Sequence, residues 1–109
     1  MLIVLTTTPT SEEAESLANG LVESRLAACV QILPPMRSVY IWKGEVQRET
    51  EQLLLIKTLA ERYEEVERFL LANHSYETPE IIAIAAERVL AGYLAWATNS
   101  VAATDLPEE

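Results

Sequence analysis

Two stretches with strand-like alternation meet at Lys43-Gly44, and together they are too long for so small a chain to bury. From Arg37 to Lys43, Val39 and Ile41 alternate with Tyr40 and Trp42. From Glu45 to Thr58 the chain is polar at first and then apolar from Leu53 to Ile56. Strands in globular proteins usually run to about five or six residues, so the outer half of this hairpin is predicted to leave the domain body. There Tyr40, Ile41, Trp42 and two strand edges would face water, which invites aggregation unless another chain covers them. Half of the 109 residues are hydrophobic, a high share for a small domain with much surface. That share points the same way, to apolar surface buried between subunits.

The remaining segments supply a body for the hairpin. Leu2 to Leu5 is a short apolar run that reads as a buried strand, ended by Thr6 to Pro9. Thr10 and Glu13 have capping-box spacing, and Ala14, Leu17, Ala18, Leu21 and Val22 follow at helical intervals, which predicts a helix to about Arg25. Ala28 to Leu33 is a second strand, interrupted by Pro34 and Pro35, which cannot donate to a ladder. A second helix is predicted over Glu61 to Ala72, with Tyr63, Val66, Phe69 and Leu70 on its apolar side. Pro79 to Ala86 carries Ile81, Ile82 and Ile84 and reads as the last strand. Ala91 to Val101, with Tyr93, Leu94 and Trp96, reads as a closing helix, and the acidic end from Asp105 to Glu109 is expected to fray.

The order is βαββαβ with a long β2-β3 hairpin and an extra C-terminal helix, an α+β ferredoxin-like sandwich in one domain over residues 1–109. Helices then cover one face of an antiparallel sheet, and the other face is left for a second subunit.

Charge removes several classes of partner. Eight Lys and Arg stand against 17 Asp and Glu, a formal net charge of −9, with no basic stripe. Phosphate backbones and anionic membranes would be repelled, so neither nucleic acid nor membrane is expected. No apolar run approaches the ~18 residues of a membrane span. Met1 to Leu5 is too short for a secretory signal, and the single cysteine cannot form an internal disulfide, so a cytoplasmic setting is expected.

Several segments carry a family resemblance. Leu26-Ala27-Ala28-Cys29-Val30 with Ile32-Leu33-Pro34 resembles the "RLAACVNILP" stretch of the CutA divalent-cation tolerance family. Ser38 to Gly44 is similar to its "SxYxWxG" hairpin, and Glu51 with Leu54 to Thr58 to its "ExxLxIKT" strand. His74 to Ile81 resembles its "HPYEVPEI" signature, with Ser75 at the first proline, and Tyr93 to Trp96 its closing "YLxW". The matches run from the first strand to the last helix, in the family's order. The resemblance implies a cytoplasmic homotrimer with hairpins packed across subunits. It also implies a part in tolerance of divalent metals, copper above all, with no required cofactor and no catalytic activity. Where copper-binding relatives can carry a cysteine after the first strand and a histidine before the signature histidine, this chain has Thr6 and Asn73.

Candidate residues follow from both readings. Cys29 is a small core residue or a soft ligand for Cu(I), which would need thiolate or imidazole neighbours. His74, the only histidine, complements the end of the second helix, or joins its two symmetry copies at an axis to hold a metal. Glu77 supplies an oxygen ligand or a surface ion pair. Lys57 sits in an otherwise apolar strand and needs a partner, for which Glu80 is the candidate. With Tyr76 and Glu51 these two define an inter-subunit cleft for a small anion or metabolite, the alternative function of a PII-like trimeric module. Trp42 and Trp96 are expected to be interface and core anchors. A lone histidine, with no orienting partner and no Gly-rich loop, argues against an enzyme.

Overall fold

A computed structural model describes residues 1–102. Five strands, β1 (Leu2–Thr8), β2 (Cys29–Ile32), β3 (Met36–Trp42), β4 (Glu45–Thr58) and β5 (Ile82–Ala85), combine with helices α1 (Ser11–Glu23), α2 (Tyr63–Asn73) and α3 (Ala91–Ser100). A single 3₁₀ turn, Ala60–Arg62, leads into α2. The expected fraying of Asp105 to Glu109 lies outside the described residues.

β4 organises the sheet because its inner half is apolar and its outer half is not. Residues 52–58 pair with all of β1, and Leu54 to Lys57 pair with β2 on the other side. Residues 45–51 pair only with β3, in register from Met36↔Glu51 to Trp42↔Glu45. The sheet order is β2-β4-β1-β5 and every pairing is antiparallel. With β2 and β3 taken as one strand interrupted at Pro34-Pro35, this is the ferredoxin-like order. Lys43 (φ 53°) and Gly44 (φ 81°) both lie in the left-handed region, the two-residue turn that matches strand twist. The hairpin projects as the alternation predicts: the molecule is 53 Å long but 29 by 23 Å across.

α1 and α2 close one face. Leu17 and Leu21 of α1 and Val66 and Leu70 of α2 pack on Val4, Leu54 and Ile56, all essentially buried. Thr10 caps α1 by accepting from the Glu13 N–H at 3.1 Å. The helix stops two residues before the expected Arg25, which adopts φ 61°. At Gly20 a Cβ would lie 2.5 Å from Phe69 Cζ, so a side chain there would have to displace the half-buried Phe69 ring. Gly20→Ala should therefore lower stability by up to about 2 kcal/mol, overpacking of about 1–3 kcal/mol less the ~1 kcal/mol gained in helix propensity. Urea unfolding reads this directly, and an unchanged or higher midpoint would refute the close approach.

β1 runs three residues past its expected end at Leu5. Thr6, Thr7 and Thr8 are β-branched, pair with Leu54, Leu53 and Gln52, and are buried. β5 begins at Ile82 rather than Pro79.

The residues that alternate with the core positions lie on the sheet's second face. There Ile3 faces Lys57 and Ile84, Leu5 faces Leu55 and Ile82, and Cys29 faces Lys57. Ile82 and Ile84 are about half exposed (48% and 50%). α3 covers a small part of this molecule: Ala97 is buried with Ala28 and Val101, while Arg62 Nε donates to Val101 O at 2.9 Å. Trp96 is not a core anchor. It stacks on Tyr93 at 5.4 Å and stays 48% exposed, because Ala97 takes the inward position.

Candidate functional site

The base of the hairpin and the loop after α2 enclose an open cleft of about 830 Å³. The β3–β4 register puts Ser38, Tyr40 and Trp42 on one face with Glu49, Gln47 and Glu45. The loop brings Ser75, Tyr76, Glu77 and Glu80 up to that face. Four carboxylates, from Glu49, Glu51, Glu77 and Glu80, line the cleft, and no lysine or arginine does. Within one chain the cleft is therefore electronegative.

Two tyrosines answer two of these carboxylates. Tyr76 Oη donates to Glu51 Oε2 at 2.8 Å, and Tyr40 Oη donates to Glu49 Oε1 at 2.8 Å. Glu51 is 8% exposed, so the Tyr76 hydroxyl offsets much of its desolvation. Burial first, and then the hydrogen bond and charge of Glu51, hold the Tyr76 phenol far above its ordinary range. The Tyr40 phenol is raised mainly by its hydrogen bond to Glu49.

The position of Tyr76 is set by His74, whose side chain is fully buried. His74 Nε2 lies 2.8 Å from Thr7 O, and the Tyr76 N–H donates to Nδ1 at 3.1 Å. These bonds assign the proton to Nε2 and leave neither nitrogen free. Glu13 Oε2 lies 3.3 Å from Nδ1 and accepts from the Ser75 N–H at 2.8 Å. Glu13 thus leaves its expected place in the capping box to tie the loop to α1. Nothing local in the sequence signals that contact, which spans 62 residues. Glu49, also missed, was accessible from its two-residue spacing to Glu51 and Gln47.

Lys57 does not belong to this cleft. It lies six residues along β4 from Glu51, roughly 20 Å at ~3.4 Å per residue. Its Nζ sits 5.6 Å from the centroid of the Tyr93 ring, and no ion pair joins it to Glu80 among the described residues. Within one chain Tyr93, and not Glu80, faces the lysine. The metal candidates are also dispersed. Cys29 lies level with Ile3 of β1 and His74 binds at Thr7, four residues or about 13 Å along the strand. Glu77 is in the cleft. No group of three His, Cys, Asp or Glu residues among the described ones is placed to hold a metal ion. Thr6 is sealed in the helix-side core, and its hydroxyl has no partner.

Tyr76→Phe should cost about 1.5–3 kcal/mol, since a buried carboxylate loses its donor. The pH dependence has a definite sign. A raised phenol pKa means the folded chain keeps a proton that the unfolded chain releases, so the stabilisation is full below about pH 10 and is lost above it. Chemical unfolding from pH 9 to 11.5 should give a steeper alkaline loss for the wild type than for Tyr76→Phe. Parallel losses would contradict the Glu51 contact.

Residues 2–100 match the family model described as CutA1 divalent ion tolerance protein. The chain is 42% identical over 99 residues to the chloroplastic protein CutA of Arabidopsis thaliana, covering 91% of this chain and 54% of that one. It therefore spans about half the length of that relative. It is 43% identical over 94 residues to the divalent-cation tolerance protein CutA of Thermus thermophilus, covering 86% and 91% of the two chains. The solved structure of the periplasmic divalent cation tolerance protein CutA from Archaeoglobus fulgidus superposes with a TM-score of 0.89 at 41% identity, covering 93% of this chain and 99% of that one.

Proposed function

This chain belongs to the CutA1 divalent ion tolerance family, and on that premise we propose that it is a homotrimeric binding protein acting in the response to copper or another divalent metal. The carrying observation is the projecting hairpin, where Ile41 is 71% and Trp42 57% exposed, together with the half-exposed Ile82 and Ile84 of the sheet. One chain cannot cover that surface, and a ring of copies can. The reading is of a binding protein and not an enzyme: the sole histidine has both nitrogens engaged in holding a loop. The one cysteine, without a partner thiol, supports a reducing compartment such as the cytoplasm, although relatives are named chloroplastic and periplasmic. Among the described residues no helix is long and apolar enough to cross a membrane.

The residues do not fit a resident copper centre. His74 has no free lone pair, Cys29 is at the other end of β1, and Glu77 is in the cleft. Metal response in this reading belongs to the assembly and not to a His74–Cys29–Glu77 site. Calorimetric titration of the assembled protein with Cu(II) and Zn(II) tests this. Divalent-metal binding by the assembly that persists in His74→Ala and in Cys29→Ala is expected; micromolar binding lost in either variant would restore a His74–Cys29 site, and binding no tighter than roughly millimolar would remove the metal reading of this chain. The cleft favours a second reading, a PII-like module that holds a small molecule between subunits through Glu51, Tyr76 and Glu80. Within one chain its carboxylates favour a cation.

A further inference from the structure

His74 is held between groups that favour opposite protonation states. Its side chain is fully buried within one chain, so no other copy can reach it. In the neutral ring Nε2 donates to Thr7 O at 2.8 Å, and Nδ1 accepts from the Tyr76 N–H at 3.1 Å. Glu13 Oε2 lies 3.3 Å from the same Nδ1. Nδ1 thus faces a donor, which needs its lone pair, and a carboxylate, which would bind its proton. An imidazole is also the side chain that gains a charge on mild acidification.

The surroundings divide by the state they favour. From α1, Glu13 favours the charged ring. His74 is the C-cap of α2, whose carbonyl end does the same. From β1, the Thr7 carbonyl accepts from Nε2 in either state. From the loop, the Tyr76 N–H requires the neutral ring, and the Tyr76 phenol ring lies 5.0 Å away. Glu51 of β4 is linked to His74 only through Tyr76, whose Oη donates to it at 2.8 Å. Burial itself favours the neutral form. No lysine or arginine among the described residues pairs with Glu13 or Glu51.

We infer that His74 is an acid-operated latch on the loop that walls the cleft: a proton on Nδ1 exchanges the Tyr76 N–H for Glu13, and Tyr76 then releases Glu51. Two N–H groups cannot share one hydrogen bond, so the Tyr76 amide withdraws once Nδ1 is protonated. Glu13 gives up nothing, because a carboxylate can accept from Nδ1 and from the Ser75 N–H at 2.8 Å together. The Tyr76 side chain moves with its backbone and loses its bond to Glu51. Tyr76, Glu77 and Glu80 all line the cleft from this loop, so the cleft is tied down at neutral pH and loosened in acid. The latch goes beyond the assembly and metal readings and depends on neither. Its coupling is reciprocal: removing the Tyr76–Glu51 bond eases protonation of His74, and removing the Glu13 charge opposes it.

The only histidine in the chain gives a single ring to follow. In the nitrogen-15-labelled full-length protein, ring and backbone N–H correlation spectra are recorded from pH 8 down to about pH 4.5. Nδ1 should begin without a proton, and the Tyr76 amide resonance should move with the same midpoint as the ring. Glu13→Gln should lower that midpoint by about one pH unit. Tyr76→Phe should raise it by about half a unit or more, a shift that a merely structural histidine would not show. A ring that stays neutral until circular dichroism reports loss of the fold would overturn the inference. So would a Tyr76 amide that ignores the ring, or a midpoint that Tyr76→Phe leaves in place.

Discussion

Replacing Trp42 with alanine is expected to break the assembly into smaller species at micromolar protein. Trp42 is 57% exposed in the single chain, at the end of a ribbon whose two strands pair only with each other. Its loss costs the isolated chain little, because little of it is buried there. In a ring each copy contributes one such residue to a joint, and a central tryptophan is worth ~2–4 kcal/mol on truncation. That cost recurs at every joint, so the dissociation constant should rise by more than a hundredfold. The test is light scattering across a dilution series, with circular dichroism to show that the body of the fold persists. A Trp42→Ala protein with wild-type mass and wild-type heat resistance would remove Trp42 as the anchor.

Ile84→Lys should be as damaging by a different route. Ile84 lies on β5 opposite Ile3, on the sheet face away from α1 and α2, and is half exposed. A lysine there can reach water in a monomer. In an assembly that covers this face it becomes an uncompensated buried charge, at about 3–5 kcal/mol per copy. The expected product is a folded chain that stays monomeric. If Ile84→Lys assembles normally, the sheet face is not the covered one, and the hairpins alone hold the ring.

Much of this was legible in the sequence, and the failures have physical causes. The hairpin was readable because period-two alternation and a Lys-Gly turn are local signals. α1 was readable from Thr10 and the spacing of Leu17 and Leu21. The threonines that extend β1 were misread as a boundary: their polarity suggested a turn, while their branching and the strand beside them favoured pairing. In the site, Tyr76, Glu80 and Glu51 do come together, since the loop after α2 folds over the hairpin base. Lys57 was grouped with them only because its segment carried the same family resemblance. Both lie on β4, six residues apart, and the fold of α3, which sequence does not give, puts Lys57 beside Tyr93. The tie from Glu13 to His74 and Ser75 was hidden for a similar reason: a capping-box pattern already explained Glu13 locally.

The mass of the unmodified protein in solution tests the central claim most directly. Multi-angle light scattering at micromolar concentration should give three times 12.2 kDa, about 37 kDa, unchanged on tenfold dilution. A stable species of 12.2 kDa would contradict the account, because the hairpin and the open sheet face would then be exposed in the working molecule.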